Sequence, residues 1–322
     1  GEKSHPAVYK FKAQEIANLV WSYATLNQKA EGLIECFTPF IVAMCSSGKG
    51  KQQSYNEQSI ARYINRQEVA NMAWSCAVLE EYPKQLLPLL YIALFGDNCS
   101  ANPDDMKRIY GDDGIQKQTV MTMFYVQMAL DMEAPELGLS LPTNFPHGWE
   151  VSDSKNKPAT MAAADEMDTS MLQLTTSRLQ QSVSHTLNHV GFDHVLEHII
   201  CTDELQADYG ISLSSDNQEF LSLDIANLED KIGIEVDGPG HFVNILDGDS
   251  NTEGEEGGMM KTGKGKMRWQ FMANSQQQGN GPTALKHRLM GHLGWSLAHI
   301  PYFEWREQDD EEEYCRKILK EL

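Results

Sequence analysis

The sequence predicts an α + α/β chain in which stacked helix pairs precede a small domain built on a hairpin, a helix and a returning strand. Two observations carry that reading. A block of the first half recurs at a constant offset of 53, with helical periodicity in both copies. In the second half, two short runs alternate apolar and polar residues across a polar turn, and a helix-like and then a strand-like run follow them. A chain of 322 residues is long enough to bury two cores. The divisions fall at 1–137 for the helical-repeat region, 138–170 for a linker and 171–322 for the α/β domain.

Gln14 to Leu26 and Gln67 to Leu79 share Gln, Glu, Ala, Asn, Trp, Ser, Ala and Leu at matching positions. In the first copy Ile16, Leu19 or Val20, Tyr23 and Leu26 form an apolar stripe. A second apolar helix follows each copy, over Glu31 to Met44 and over Pro83 to Phe95. The unit is therefore a helix pair, and stacked helix pairs make a solenoid. Gln118 to Asp131 reads as a third, degraded copy, and Trp21 and Trp74 read as core spacers rather than stacking platforms. Two clear repeats are fewer than the roughly three that a free-standing solenoid needs. The helices must then lean on the C-terminal domain, on a partner, or on further repeats.

Gly138 to Met167 is polar and without periodicity, as linkers are. Met171 to Asn188 resumes helical spacing, with Ser177 as an early cap and Gly191 as the stop, and strands follow at Val195 to Cys201 and Gly210 to Leu213. His185/His189 and His194/His198 have the i,i+4 spacing that zinc uses on a helix, but Gly191 and the run after it put the second pair on a strand. In the hairpin, Leu221, Leu223 and Ile225 share one face with Ser222 and Asp224 opposite; Ile232, Ile234 and Val236 share a face with Glu235 and Asp237 opposite. Asn227 to Lys231 fit the loop. Asp224, Glu235 and Asp237 are thus expected to converge on one side of the sheet, with His241 at its rim after Pro239 and Gly240. Buried acids are expensive, and a strand pair that keeps three has a use for them. Residues 244–281 read as a Gly-rich insertion, mostly flexible, acidic first and basic later. Pro282 opens a helix to Leu293, closed by Gly294, and Trp295 to Ile300 returns parallel to 232–237 by the right-handed crossover. Pro301 to Trp305 crosses the sheet edge, and the last helix carries acids in its first turn and bases later.

The pattern SLDIA, KIGIEVDGPGHF, then TALKHRLMGHLGW and IPYFEW resembles the RAP domain, an RNA-binding domain of organellar proteins, over roughly the last third of the chain. The resemblance implies a restriction-endonuclease-like fold. Nucleases of that fold pair an Asp on one strand with an acid-x-Lys on the next; the acids hold a divalent cation that activates water. Asp224 and Glu235 match the two acids, as metal ligands for Mg²⁺ or Mn²⁺, but Asp237 stands where the lysine would be. Lys286 or Arg288 on the following helix would have to supply that cation. The alternative is a nuclease frame used for binding, with Asp237, His241, Lys286, His287 and Arg288 as RNA contacts. The N-(L/M)-x-W-(S/A)-x-A helices are similar to the degenerate repeats that precede RAP domains in octotricopeptide-type and FAST-kinase-like proteins. In such repeats one polar residue per helix faces a base, and Asn18 and Asn71, with Gln14 and Gln67, are the candidates here; equally, they cap and bridge neighbouring helices.

The net charge of −20 argues against a protein that works by neutralising phosphates alone. Residues 1–150 hold 12 basic against 17 acidic side chains and residues 151–322 hold 14 against 29, so basic contacts are local clusters. Six cysteines without C-x-x-C spacing read as reduced thiols rather than a disulfide framework or zinc site. No apolar run approaches the roughly 18 residues of a membrane span. The chain begins at Gly1, consistent with a leader removed or left out, and shows no Arg/Ser-rich transit segment. The expected function is that of an organellar RNA-binding protein, mitochondrial or plastid, acting in rRNA or mRNA processing, stability or ribosome assembly within a ribonucleoprotein complex. The alternatives are a divalent-metal endoribonuclease using Asp224, Glu235 and Lys286, and a scaffold that binds proteins only.

Overall fold

The computed structural model describes residues 11–46, 65–96, 117–142, 177–200, 221–245, 260–261, 267–268 and 276–322. Among the described residues five helices come first: α1 (Ala13–Thr25), α2 (Leu33–Ser46), α3 (Arg66–Leu79), α4 (Leu86–Phe95) and α5 (Lys117–Glu133). The first members of the pairs, α1, α3 and α5, lie side by side in that order, with α2 and α4 packed behind α1 and α3. Helix α5 is the third repeat helix that Gln118 to Asp131 predicted. Asn65 starts α3 through a reciprocal box: its side chain accepts the Glu68 N–H at 2.9 Å while Glu68 accepts the Asn65 N–H at 2.8 Å. One repeat also caps the other. Glu81, just past α3, accepts the Ile34 and Glu35 N–H groups at 3.0 and 3.3 Å, placing a carboxylate at the positive end of α2.

The stripe on α1 is narrower than its periodicity predicts. Ala13, Ile16, Ala17, Val20 and Ala24 are buried, whereas Tyr23 and Leu26 are exposed. Among the described residues helix α1 is the outer member of its layer, with α3 as its neighbour there. Helix α3 lies between α1 and α5 and is buried nearly all round, with Ala70, Ala73 and Ala77 thin enough to admit both.

The second region is a four-stranded sheet in the order β1-β2-β3-β8, formed by β1 (Val195–Ile199), β2 (Ser222–Asn227), β3 (Ile232–Asp237) and β8 (Ser296–Pro301). The first three strands are antiparallel, and β8 is parallel to β3 after a crossover through α7 (Gly281–His292), as predicted. Asn227 belongs to β2, so the hairpin loop is shorter than expected. Helix α6 (Arg178–His189) starts at a Ser177 cap, and Gly191 at φ +82° ends it. The stretch expected only to cross the sheet edge forms a short helix, α8 (Tyr302–Glu307), before α9 (Glu311–Glu321). Within the insertion, β4 (Phe242–Ile245) pairs with β7 (Gln276–Gly279), and β5 (Met260–Lys261) with β6 (Met267–Arg268). The base of that segment is thus an antiparallel ribbon, and most of the stretch expected to be flexible lies outside the described residues. The linker centre and the strand expected at 210–213 lie outside the described residues.

Two apolar clusters sandwich the sheet. The smaller holds Val183 and Leu187 of α6, Ile225, Ile234, Val236 and Ile300 of the strands, and Trp305 and Cys315. The larger is continuous from the repeat helices through Leu285 and Leu289 of α7 to Leu221, Leu223 and Ala226. The repeats therefore lean on the α/β region, one of the three supports the sequence left open. Contact there is close. A Cβ on Gly281 would lie 1.9 Å from the Ala24 carbonyl oxygen and 3.0 Å from Val78 Cγ1. Asn27 donates to Gly279 O at 3.1 Å and its own carbonyl accepts from Gln278 at 3.2 Å. Arg288 of α7 donates to Glu133 at 2.6 Å and to the Ala77 and Val78 carbonyls at the end of α3.

Because backbone, not a flexible side chain, fills the space at Gly281, Gly281→Ala should cost about 3 kcal/mol in urea unfolding. A loss under about 1 kcal/mol would mean that the α1–α7 contact is looser than described.

Candidate functional site

Alternation on β3 sends Ile234 and Val236 to the smaller cluster and Gly233, Glu235 and Asp237 toward α7. Leucine side chains fill the space over Gly233: a Cβ there would lie 2.4 Å from Leu297 Cδ2 and 3.0 Å from Leu223, whose side-chain ends would have to shift. Leu223 therefore shares the α7 face, while Ile225 packs into the opposite cluster, which corrects the expectation that they share a face. The change of face falls at Asp224, where the β1–β2 register skips the Glu197–Asp224 pair and Glu197 takes φ +52°. Buried Gln180 of α6 fills the gap, donating to the Asp224 carbonyl at 2.8 Å and to Glu197 Oε1 at 2.9 Å.

Glu235 and Asp237, 4 % and 1 % exposed, form the floor of a 420 Å³ cavity between the sheet, α7 and the repeat helices. Lys286 of α7 donates to Glu235 Oε2 at 2.7 Å. His299 of β8 donates to Asp237 Oδ2 at 2.6 Å. His241 Nδ1 lies 2.9 Å from Asp237 Oδ1, an ion-pair distance without the alignment of a hydrogen bond. The His287 and His299 rings meet edge to face at 5.0 Å. Trp74 of α3 and Tyr125 of α5 close the cavity from the repeat side.

The electrostatics follow from burial. Burial pushes the Glu235 carboxyl up; Lys286 pulls against it, and Asp224 and Asp237 reinforce it. Burial also works against charge on Asp237, but the His241 and His299 imidazoles outweigh it and hold that carboxyl well below the usual range. Asp237 in turn raises His241. Burial and the neighbouring His299 lower His287, and burial with the Glu235 charge pushes Tyr125 up to about 12.

The predicted residues divide. Glu235, Asp237, His241, Lys286 and His287 meet in the cavity. Asp224 does not line it: Oδ2 accepts the Val236 N–H at 2.8 Å, although its charge is felt at Glu235 and His241. Arg288, on the other side of α7, holds the repeat helices as described above. Asn18 is exposed on α1; Asn71 accepts from Gln67, which accepts from Thr119, a bridge from α3 to the start of α5. His194 is held by Ser184 and the Phe192 carbonyl, and the His185 and His189 rings lie 4.3 Å apart, tilted by 54°. Among the described residues no three His, Cys, Asp or Glu side chains are grouped to hold a metal ion. Sequence reasoning missed His299, Tyr125 and the second role of Trp74, which packs against the larger cluster and is also half-buried at the cavity wall; Trp21 is 41 % exposed. The alternation of β8, with Ile300 inward on the other face, could have pointed to His299.

Residues 234–320 match the RAP domain, a span that runs from β3 into α9 and contains the cavity floor and α7 but neither Trp74 nor Tyr125. Over 97 % of its length the chain is 21 % identical to a RAP domain-containing protein, chloroplastic, of Oryza sativa subsp. japonica, and it spans 41 % of that relative's length.

The pair Asp237–His241 has a definite pH window. Asp237 sits below its ordinary 3.8, so its contribution is present above that pH and is lost as pH falls through the lowered value. His241 sits above its ordinary 6.5, so its contribution is full below pH 6.5 and is lost as pH rises through the raised value. Imidazole NMR should place the His241 midpoint above 6.5, and Asp237→Asn should bring it down. A midpoint indifferent to that substitution would rule out Asp237 as the cause.

Proposed function

We propose that this chain, which carries a RAP domain, binds single-stranded organellar RNA and acts in rRNA or mRNA processing, stability or ribosome assembly within a ribonucleoprotein complex. One observation carries the reading: the RAP span supplies Lys286, His241, His287 and His299, donors from a helix, a turn and a strand that line one cavity. These are the side chains a nucleotide needs, cations for phosphate and ring edges for bases. The chloroplastic relative favours the plastid among the two organelles. A net charge of −20 keeps the phosphate contribution small, so affinity must come from specific contacts and from protein partners in the complex. No helix among the described residues is long and apolar enough to cross a membrane.

Endoribonuclease action has one geometric point in its favour, the Lys286 ammonium beside Glu235. The donor set for Mg²⁺ or Mn²⁺ is thin, however. Asp224 already accepts the Val236 N–H, and no third His, Cys, Asp or Glu joins it and Glu235 among the described residues. These side chains fit capture of RNA better than its hydrolysis.

Fluorescence anisotropy with labelled single-stranded RNA tests the proposal. Binding should be measurable at about 50 mM salt, and log K should fall against log salt with a slope on the order of −2, the value for about three phosphates. Lys286→Ala should reduce both affinity and slope. Failure of the folded chain to retain RNA, with recovery of protein partners instead, would leave the scaffold reading. Cleavage in Mg²⁺ or Mn²⁺ that disappears in both Asp224→Ala and Glu235→Ala would replace binding by hydrolysis.

A further inference from the structure

We infer that the cavity between the repeat helices and the sheet receives one unstacked nucleobase of a bound RNA, with Trp74 as its stacking surface and Glu235 Oε1 as the acceptor for its edge. The inference rests on the RNA-binding reading and deepens it: it names the ligand class at the cavity and gives the repeat helices a part in the site.

Four features of the cavity point the same way. Its 420 Å³ falls within the range of pockets that hold small organic ligands. One wall is apolar and aromatic, from Trp74 and Tyr125, and the opposite floor is polar. The floor offers an unused acceptor. Glu235 is 4 % exposed, Lys286 takes Oε2, and Oε1 has no hydrogen-bond partner among the described residues. A buried carboxylate oxygen without a donor is costly, and an arriving N–H group removes that cost. Finally, Lys286 keeps further N–H donors beside the Glu235 acceptor. Every base presents an N–H donor next to an acceptor on its Watson–Crick edge, so a flipped-out base satisfies Glu235 Oε1 and Lys286 together. Its ring face then lies on the indole, a contact that serves all bases because each has a π-face.

The polar positions of the repeats, Asn18 and Asn71, are not needed for this contact. Trp74 lies one turn beyond Asn71 on α3, so the repeat helix reaches the RNA through its aromatic residue.

Twelve-nucleotide single-stranded RNAs of random sequence containing 4-thiouridine, irradiated with the wild-type chain and mapped by mass spectrometry, test the inference. Adducts should fall on α3 or α5 at the peptides holding Trp74 and Tyr125. By anisotropy, Trp74→Leu and Glu235→Gln should each weaken binding about tenfold, the effect of one lost base contact, with the fold checked by circular dichroism. Adducts confined to other surfaces, together with unchanged affinity in Glu235→Gln, would overturn the base site while leaving RNA binding intact. If Trp74→Leu does not fold, the adduct map and Glu235→Gln decide. Absence of RNA binding by the folded wild type would overturn both this inference and the reading beneath it.

Discussion

Two carboxylates buried on the same face of one strand demand counter-charges, and the cost of taking Glu235 and Asp237 out of water organises much of what surrounds them. The strand cannot supply those charges itself. A helix must pass over it to deliver Lys286, a parallel neighbour must deliver His299, and a tight turn must bring His241 back. The right-handed crossover from β3 through α7 to β8 meets two of these demands with one connection. The 3₁₀ turn at Pro239–His241 meets the third.

Helix α7 is also the element that joins the two regions. Its leucines complete the large cluster, its Lys286 and His287 face the sheet, and its Arg288 grips the end of α3 and Glu133. The glycine at its start lets it touch the Ala24 carbonyl. Its position is thus fixed from both sides, and the cavity is the space left between two well-packed surfaces rather than a defect in either. The side chain that holds the repeats, Arg288, and the one that holds Glu235, Lys286, thus share one helix of 12 residues.

Much of this was legible in the sequence, and what was not has a physical reason. Periodicity found the repeat helices, the hairpin, the crossover helix and the parallel strand, because backbone geometry imposes those periods locally. Caps at Ser177 and stops at Gly191 and Gly294 were legible for the same reason. Faces were less secure. Alternation put Asp224 with the other two acids, but the strand turns at the irregularity opposite Glu197, where Gln180 from a helix far off in sequence and the Val236 N–H supply hydrogen bonds. Partners were least secure of all. Arg288 and Lys286 are two positions apart on α7, and nothing local says that one meets the sheet and the other the repeats. Trp21 and Trp74 read alike as core spacers, but Trp21 is exposed on the outer helix, while Trp74 packs on the larger cluster and also reaches the cavity.

The ribbon of β4 and β7 has a separate consequence. Its strands leave and re-enter the domain side by side, clasped to each other and, through Gln278 and Gly279, to Asn27. That pairing holds residues 245 and 276 side by side, so the closure of the segment joining them is set at its base. Lengthening a closed loop is cheap, about 0.6 kcal/mol for each doubling. A peptide inserted between those two ends therefore meets a closure that the ribbon has already made.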